Sequence, residues 1–149
     1  MESLERIVRE HPFFAGMSEE QTGVLAGCAK NVRFEADDYL FREGGTADQL
    51  YLLRSGRVAL QIREPERSIT IQTVGESDIV GASWLVPPYR WGLDAQAQEL
   101  TRAIALDAPC LRGKCEDDHF LGYEMMKRFM PILIQRLKAA QLKIIDPNR

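Results

Sequence analysis

The stretch that decides the fold is Glu43-Gly44-Gly45-Thr46-Ala47-Asp48-Gln49-Leu50-Tyr51-Leu52-Leu53-Arg54-Ser55-Gly56-Arg57-Val58-Ala59-Leu60. Gly44-Gly45 supplies a turn in which positive φ carries no steric cost. From Leu50 to Ile62 the chain reads as two strands around Ser55-Gly56. Val58, Leu60 and Ile62 alternate with Ala59 and Gln61, the period of a half-buried strand. Short β-type runs lie to either side. Residues 32–34 and 39–41 come before; Ile69, Ile71 and Thr73 alternate after a turn at Pro65. Gly75-Glu76 turns again, and 94–98 and 101–106 complete the set. Many short strands at about 8–12-residue spacing argue a sandwich or barrel.

Helices flank this β unit. Residues 3–31 read as helical pieces interrupted at His11-Pro12, because the residue before a proline is pushed out of the α region. Ser18 and Gln21 form a capping-box pair for the second piece, and Val24, Leu25 and Cys28 give it an apolar face. Near 108–115 a short helix precedes a long one. Asp117 or Asp118 is the expected N-cap of the long helix, which runs to about residue 145 and ends at Pro147. The expected organisation is one domain over 1–149: N-terminal helices 1–31, strands 32–107 with a special segment at 79–92, and C-terminal helices 108–146.

Composition narrows the function classes. The chain has 149 residues, a net charge of −3 and 45% hydrophobic residues. No basic field for nucleic acid is visible. No apolar run approaches the ~20 residues of a membrane span, and the charged first residues carry no signal-peptide pattern. Cys28, Cys110 and Cys115 are an odd count without a CxxC pair. They are expected to be unpaired buried residues in a reducing cytoplasm. His11 and His119 both lie outside the strands, so no histidine-rich metal cluster is expected. No GxSxG or P-loop pattern appears either, and an enzyme is not expected.

The chain resembles the cyclic nucleotide-binding domain of Crp/Fnr-type regulators over roughly 13–145. The opening stretch carries the resemblance. So do Val74-Gly75-Glu76-Ser77-Asp78-Ile79-Val80-Gly81 and the passage from Leu111-Arg112 to Glu124. It implies a mainly β fold with flanking helices (α+β): an eight-stranded antiparallel, jelly-roll-like β-roll with N-terminal helices and a long C-terminal helix. The ligand would lie in the roll, and the long helix would cover it and form a homodimer.

The resemblance also implies a phosphate-binding cassette at 79–92. In that family a glycine opens a short helix whose N–H groups face the phosphate. A following glutamate accepts from the ribose, and an arginine about ten residues on meets the charge. Here Gly81 fits the glycine and Leu85 an apolar anchor, while Ala82 replaces the glutamate. Trp91 falls at the arginine position, with Arg90 beside it and Pro87-Pro88 stiffening the turn. Loss of one charge-assisted bond weakens binding by about 10–150-fold. The candidate ligand residues are Gly81, Ala82, Ser83, Trp84, Arg90 and Trp91. Trp84, Tyr89 and Trp91 either stack a planar ligand or fill the space a nucleotide would occupy. No cofactor is expected, and cyclic AMP is not expected to bind with ordinary affinity.

Met126, Met130, Leu133, Leu137, Ala140 and Ile144 make a heptad seam, the candidate dimer face, with Phe129 and Ile132 turned toward the roll. Pro131 should kink this helix or divide it. Residues up to Arg149 leave no helix-turn-helix segment, so direct DNA binding is not expected; the partner for any signal is an unidentified protein. Two functions remain open: a standalone sensory or regulatory module with a divergent pocket, or a dimeric interaction module with a filled one.

Overall fold

Turns in the opening stretch set the β hairpins. In this computed structural model, which describes residues 3–146, strands β3 (Gln49–Ser55) and β4 (Arg57–Arg63) meet at Gly56. Gly56 has φ +97°, and a Cβ there would run into the Leu100 carbonyl and Thr101. Six further strands complete the roll: β1 (Ala29–Phe34), β2 (Tyr39–Phe41), β5 (Ser68–Gly75), β6 (Ile79–Val80), β7 (Asp94–Ala97) and β8 (Thr101–Asp107). They form two antiparallel four-stranded sheets, ordered β1-β8-β3-β6 and β2-β7-β4-β5.

Helices α1 (Leu4–Glu10) and α2 (Glu19–Ala26), with a 3₁₀ turn at Pro12–Phe14, precede the sheets; α3 (Ala108–Asp117) and α4 (His119–Ile145) follow. The capping box at Ser18 and Gln21 is present, and Asp118 caps α4. The first strand starts at Ala29, earlier than residue 32, because Ala29 already pairs with Leu106. Pro147 lies outside the described residues.

Strand β3 explains the two cores. Leu50 and Leu52 face the helices, joining Ile104, Leu106, Val8, Phe14, Met125 and Phe129. Tyr51 and Leu53 face into the roll with Val58, Leu60, Val74 and Val80. Successive strand residues point to opposite faces, so a strand buried on both sides reads as a continuous apolar run. Ala95, Ala97, Ala103 and Ala105 line the roll interior; their small side chains leave room for Phe41, Tyr51 and Trp91.

Three expectations need correction. Ile62 is 47% exposed, because it lies past a register shift between Leu60 and Gln61 near the hairpin tip. Pro131 does not divide the long helix, which runs unbroken through it. A proline removes one donor, and Phe129 and Ile132, packed on the helix-side core, hold the turns on either side. Cys28 and Cys110 are joined as a disulfide across 82 residues, with a Cα separation of 5.7 Å. The Asp107 amide donates to the Cys28 carbonyl at 2.9 Å, so the β1–β8 ladder carries Cys28 to the start of α3. Counting cysteines and looking for CxxC cannot detect a pair made by a ladder. Cys115 is free and buried.

Candidate functional site

Two prolines decide the cassette's backbone. A helix opened at Gly81 would need donors at residues 87 and 88 for the carbonyls of Ser83 and Trp84. Both positions are proline and have no N–H. The segment after Gly81 accordingly forms turns and bends, with no helix. The expected helix N-terminus for an anion is therefore not built. The Arg112 guanidinium on α3 donates to the Trp84 carbonyl instead. The same guanidinium lies 4.1 Å above the Tyr89 ring, a cation–π contact. Arg112 thus clamps the segment at two points.

Beyond the turn, the chain becomes extended and is stitched to the Gly44-Gly45 turn. The Ala47 amide donates to Tyr89, the Trp91 amide to Gly45 and the Gly44 amide to Trp91, at 2.7, 2.9 and 2.8 Å. Arg90 bridges Thr46 in the same ladder. Neighbouring residues on an extended segment point opposite ways, so Trp91 turns into the roll and Arg90 turns out. Trp91 stacks on Phe41 with ring centroids 3.8 Å apart and planes 10° from parallel. Arg90 is exposed and donates to Thr46 Oγ1 at 3.1 Å and to the Gly44 carbonyl at 3.4 Å.

Gly81 is needed where it stands. Its φ is +106°, and a Cβ would lie 2.9 Å from Trp91 Cη2 and 3.0 Å from Cζ3. Trp84 leaves the roll altogether. It is fully buried in the helix-side core, with its ring centroid 5.7 Å from that of Phe129 on α4.

Of the six candidate ligand residues, Gly81, Ala82, Ser83 and Trp91 line one cavity of about 280 Å³ in the roll, while Trp84 and Arg90 do not. The rest of its wall is Phe41, Leu60, Val80, Gly92 and Leu93, with Leu133 and Arg136 from α4. That volume falls just below the ~300–1,000 Å³ usual for small-molecule sites. The Phe41–Trp91 stack occupies part of the interior and leaves a smaller space.

Arg136 is the cation that the sequence reading missed. It donates to the Ile79 carbonyl at the cassette entrance. Burial pulls its pKa down, opposed by the Asp78 carboxylate. Asp78 does not line the roll cavity; with Arg136 it lines a neighbouring groove of about 520 Å³ between α4 and β5. A signal for Arg136 existed. Leu121, Met125, Phe129, Ile132 and Arg136 recur at spacings of four or three, one helix face. Continuing the buried face past Ile132 reaches Arg136.

Asp94 and His11 have structural partners, whereas among the described residues Gln61 Oε1 and Gln72 Oε1 are buried without a hydrogen-bond donor. Asp94 is fully buried, accepts from the Glu43 amide at 2.7 Å and lies 3.5 Å from Arg42 Nε. His11 accepts from the Phe13 amide on Nδ1 at 3.2 Å, so its Nε2–H donates to the Leu53 carbonyl at 3.1 Å. Among the described residues no group of three histidine, cysteine or acidic side chains is placed to hold a metal ion, and no helix is long and apolar enough to cross a membrane.

The seam residues divide by exposure. Met126 packs partly against the helix-side core. Met130, Leu133, Leu137 and Ile144 are exposed, Leu137 at 60% and Ile144 at 81%, and Ala140 is half-buried. Ile134, 59% exposed, adds to this apolar surface.

The profile of the cyclic nucleotide-binding domain matches residues 31–118. A CRP-like cAMP-activated global transcriptional regulator of Mycobacterium tuberculosis is 24% identical over 144 residues, 96% of this chain and 62% of the regulator. The chain therefore spans about 62% of that relative's length. A crystal structure from Geobacter metallireducens GS-15, of a protein named for cyclic nucleotide binding, is similar at 30% identity with a TM-score of 0.81. It covers 92% of this chain and 99% of its own. A cyclic nucleotide-binding domain from Methylobacillus flagellatus KT shares the fold at 22% identity and a TM-score of 0.78, over 99% and 83% of the two chains.

Proposed function

The chain belongs to the cyclic nucleotide-binding domain family, and on that premise we propose that it is a sensory or regulatory module with a divergent pocket. It takes a small molecule in the roll and passes the change to α4. One observation carries this reading: Leu133 and Arg136 of α4 form part of the cavity wall, so an occupant touches the helix directly. The fully buried Trp84 is a second tie, packed on Phe129 of the same helix. Cyclic AMP is a poor fit. Ala82 offers no acceptor to a ribose, Arg90 faces away, and no helix N-terminus stands behind Gly81.

Leu133 also lies on the exposed apolar face of α4, so an occupant and a partner helix would press on the same residue. The protein works as a homodimer through Met130, Leu133, Leu137, Ala140 and Ile144, signals to another protein rather than to DNA and catalyses no reaction; the Cys28–Cys110 disulfide removes the argument from unpaired cysteines for a reducing cytoplasm. Heptad-spaced apolar residues left open on one helix favour a second helix of the same kind. Sedimentation should show a dimer, and Leu137→Asp a monomer. A wild-type monomer would remove the dimer from the reading. A thermal-shift screen of small molecules tests the sensor, since a ligand at 100 times Kd adds about 2.7 kcal/mol. The second reading is a ligand-free interaction module, favoured by the Phe41–Trp91 stack inside the roll. A dimer that no small molecule stabilises would support it.

A further inference from the structure

We propose that the roll cavity takes a compact organic anion with a flat apolar body, an aromatic monocarboxylate, with its carboxylate on Arg136. This rests on the sensory reading above and names the ligand class for the same cavity. Three properties of the wall carry it. Among the described residues Arg136 is the one charged side chain on the wall, and no carboxylate lines it. Its guanidinium has a neutral backbone partner, the Ile79 carbonyl, and its anionic neighbour Asp78 faces the adjacent groove, tied to the Gly75 amide at 2.8 Å. A planar guanidinium presents paired donors that match a carboxylate.

Most of the remaining surface is apolar, with the Phe41–Trp91 slab, Leu60, Val80 and Leu93 forming the walls. Such a surface suits an aromatic body. Beside Arg136 the wall offers a hydroxyl from Ser83 and the indole N–H of Trp91. A sugar with vicinal hydroxyls would lie unpaired there, and an unpaired buried polar group is costly. At about 280 Å³ the cavity also favours a small occupant. The charge sits on α4 rather than on the cassette, so recognition of the anion and movement of the helix are one event. Drawing the guanidinium onto a carboxylate loosens its hold on Ile79 and so frees α4 from β6.

The test uses the full chain and a panel of benzoate, phenylacetate and indole-3-acetate, each beside its carboxamide, with cyclic AMP and cyclic GMP in parallel. Calorimetry should show at least one acid binding, with its amide weaker by about ten-fold or more. Arg136→Gln should remove that preference, and Arg136→Lys should keep only part of it. Ala82→Leu, which fills the roll cavity and leaves the neighbouring groove intact, should abolish binding. The acid–amide comparison on the wild-type protein needs no variant to fold. Equal affinity for acid and amide overturns the proposal, as does binding that survives Ala82→Leu. Binding of a cyclic nucleotide but of no acid overturns the ligand class and leaves the sensor standing. Binding of nothing in the panel overturns the ligand class, and if a broader thermal-shift screen is also blank the sensor reading falls with it.

Discussion

Gly81→Ala probes the cassette most directly. The residue has φ +106°, where side chains are rarely found, and imposing that conformation on alanine costs ~1–3 kcal/mol. The new Cβ would also stand 2.9 and 3.0 Å from two atoms of the Trp91 ring. The ring has little room to retreat, since Phe41 stacks on it at 3.8 Å and its backbone is bonded to Gly44 and Gly45. Such overpacking costs ~1–3 kcal/mol more. The expected loss is therefore about 2–6 kcal/mol, or about 2–4 °C of melting temperature per kcal/mol for a chain of this size. Urea unfolding of Gly81→Ala, Trp91→Leu and the double variant separates the two parts. Leucine has no atoms where the far edge of the indole lies, so the alanine should cost about 1–3 kcal/mol less in that background. An equal cost in both backgrounds would show that the Trp91 ring is not what requires glycine at this position.

Arg90→Ala should leave affinity for any roll ligand within about two-fold and stability within about 0.5 kcal/mol, because its hydrogen bonds go to the Gly44-Thr46 turn; a ten-fold loss of affinity by calorimetry would place it in the site. The Cys28–Cys110 bridge spans 82 residues, so breaking it should cost about 4.5 kcal/mol through loop-closure entropy. Adding reductant should lower the urea midpoint of the wild type but not of Cys28→Ser, and a wild type indifferent to reductant would contradict the pairing. Burial holds the His11 pKa below its ordinary 6.5, against the raising influence of the Leu53 carbonyl and Asp78. The unfolded chain then takes the proton first. The contribution of neutral His11 is complete above about pH 6.5 and is lost as pH falls through the folded value. Urea midpoints between about pH 7 and 5 should fall more steeply for the wild type than for His11→Gln, and parallel profiles would refute this.

Features that repeat over a few residues were determined by the sequence alone. The glycine turns, the capping box at Ser18 and the apolar stripe of α4 depend on local backbone period, and local period is written in order along the chain; the alternation read in β4 did not carry through, since Val58 to Gln61 are all buried and Ile62 is exposed. The three stretches that resemble the cyclic nucleotide-binding domain lie in or beside such elements, which is why the roll and its long helix were legible. The site was not legible in the same way. Trp91 faces in and Arg90 faces out because their segment pairs with Thr46, and in an extended chain one step of register exchanges the two faces. Prolines at 87 and 88 were visible, but that Arg112 would take the orphaned Trp84 carbonyl depends on where α3 packs. The Cys28–Cys110 pair and the arrival of Arg136 in the roll both join residues far apart in the chain. Only the tertiary structure decides such meetings, because they follow from which strand lies beside which and from the face on which a helix is laid down.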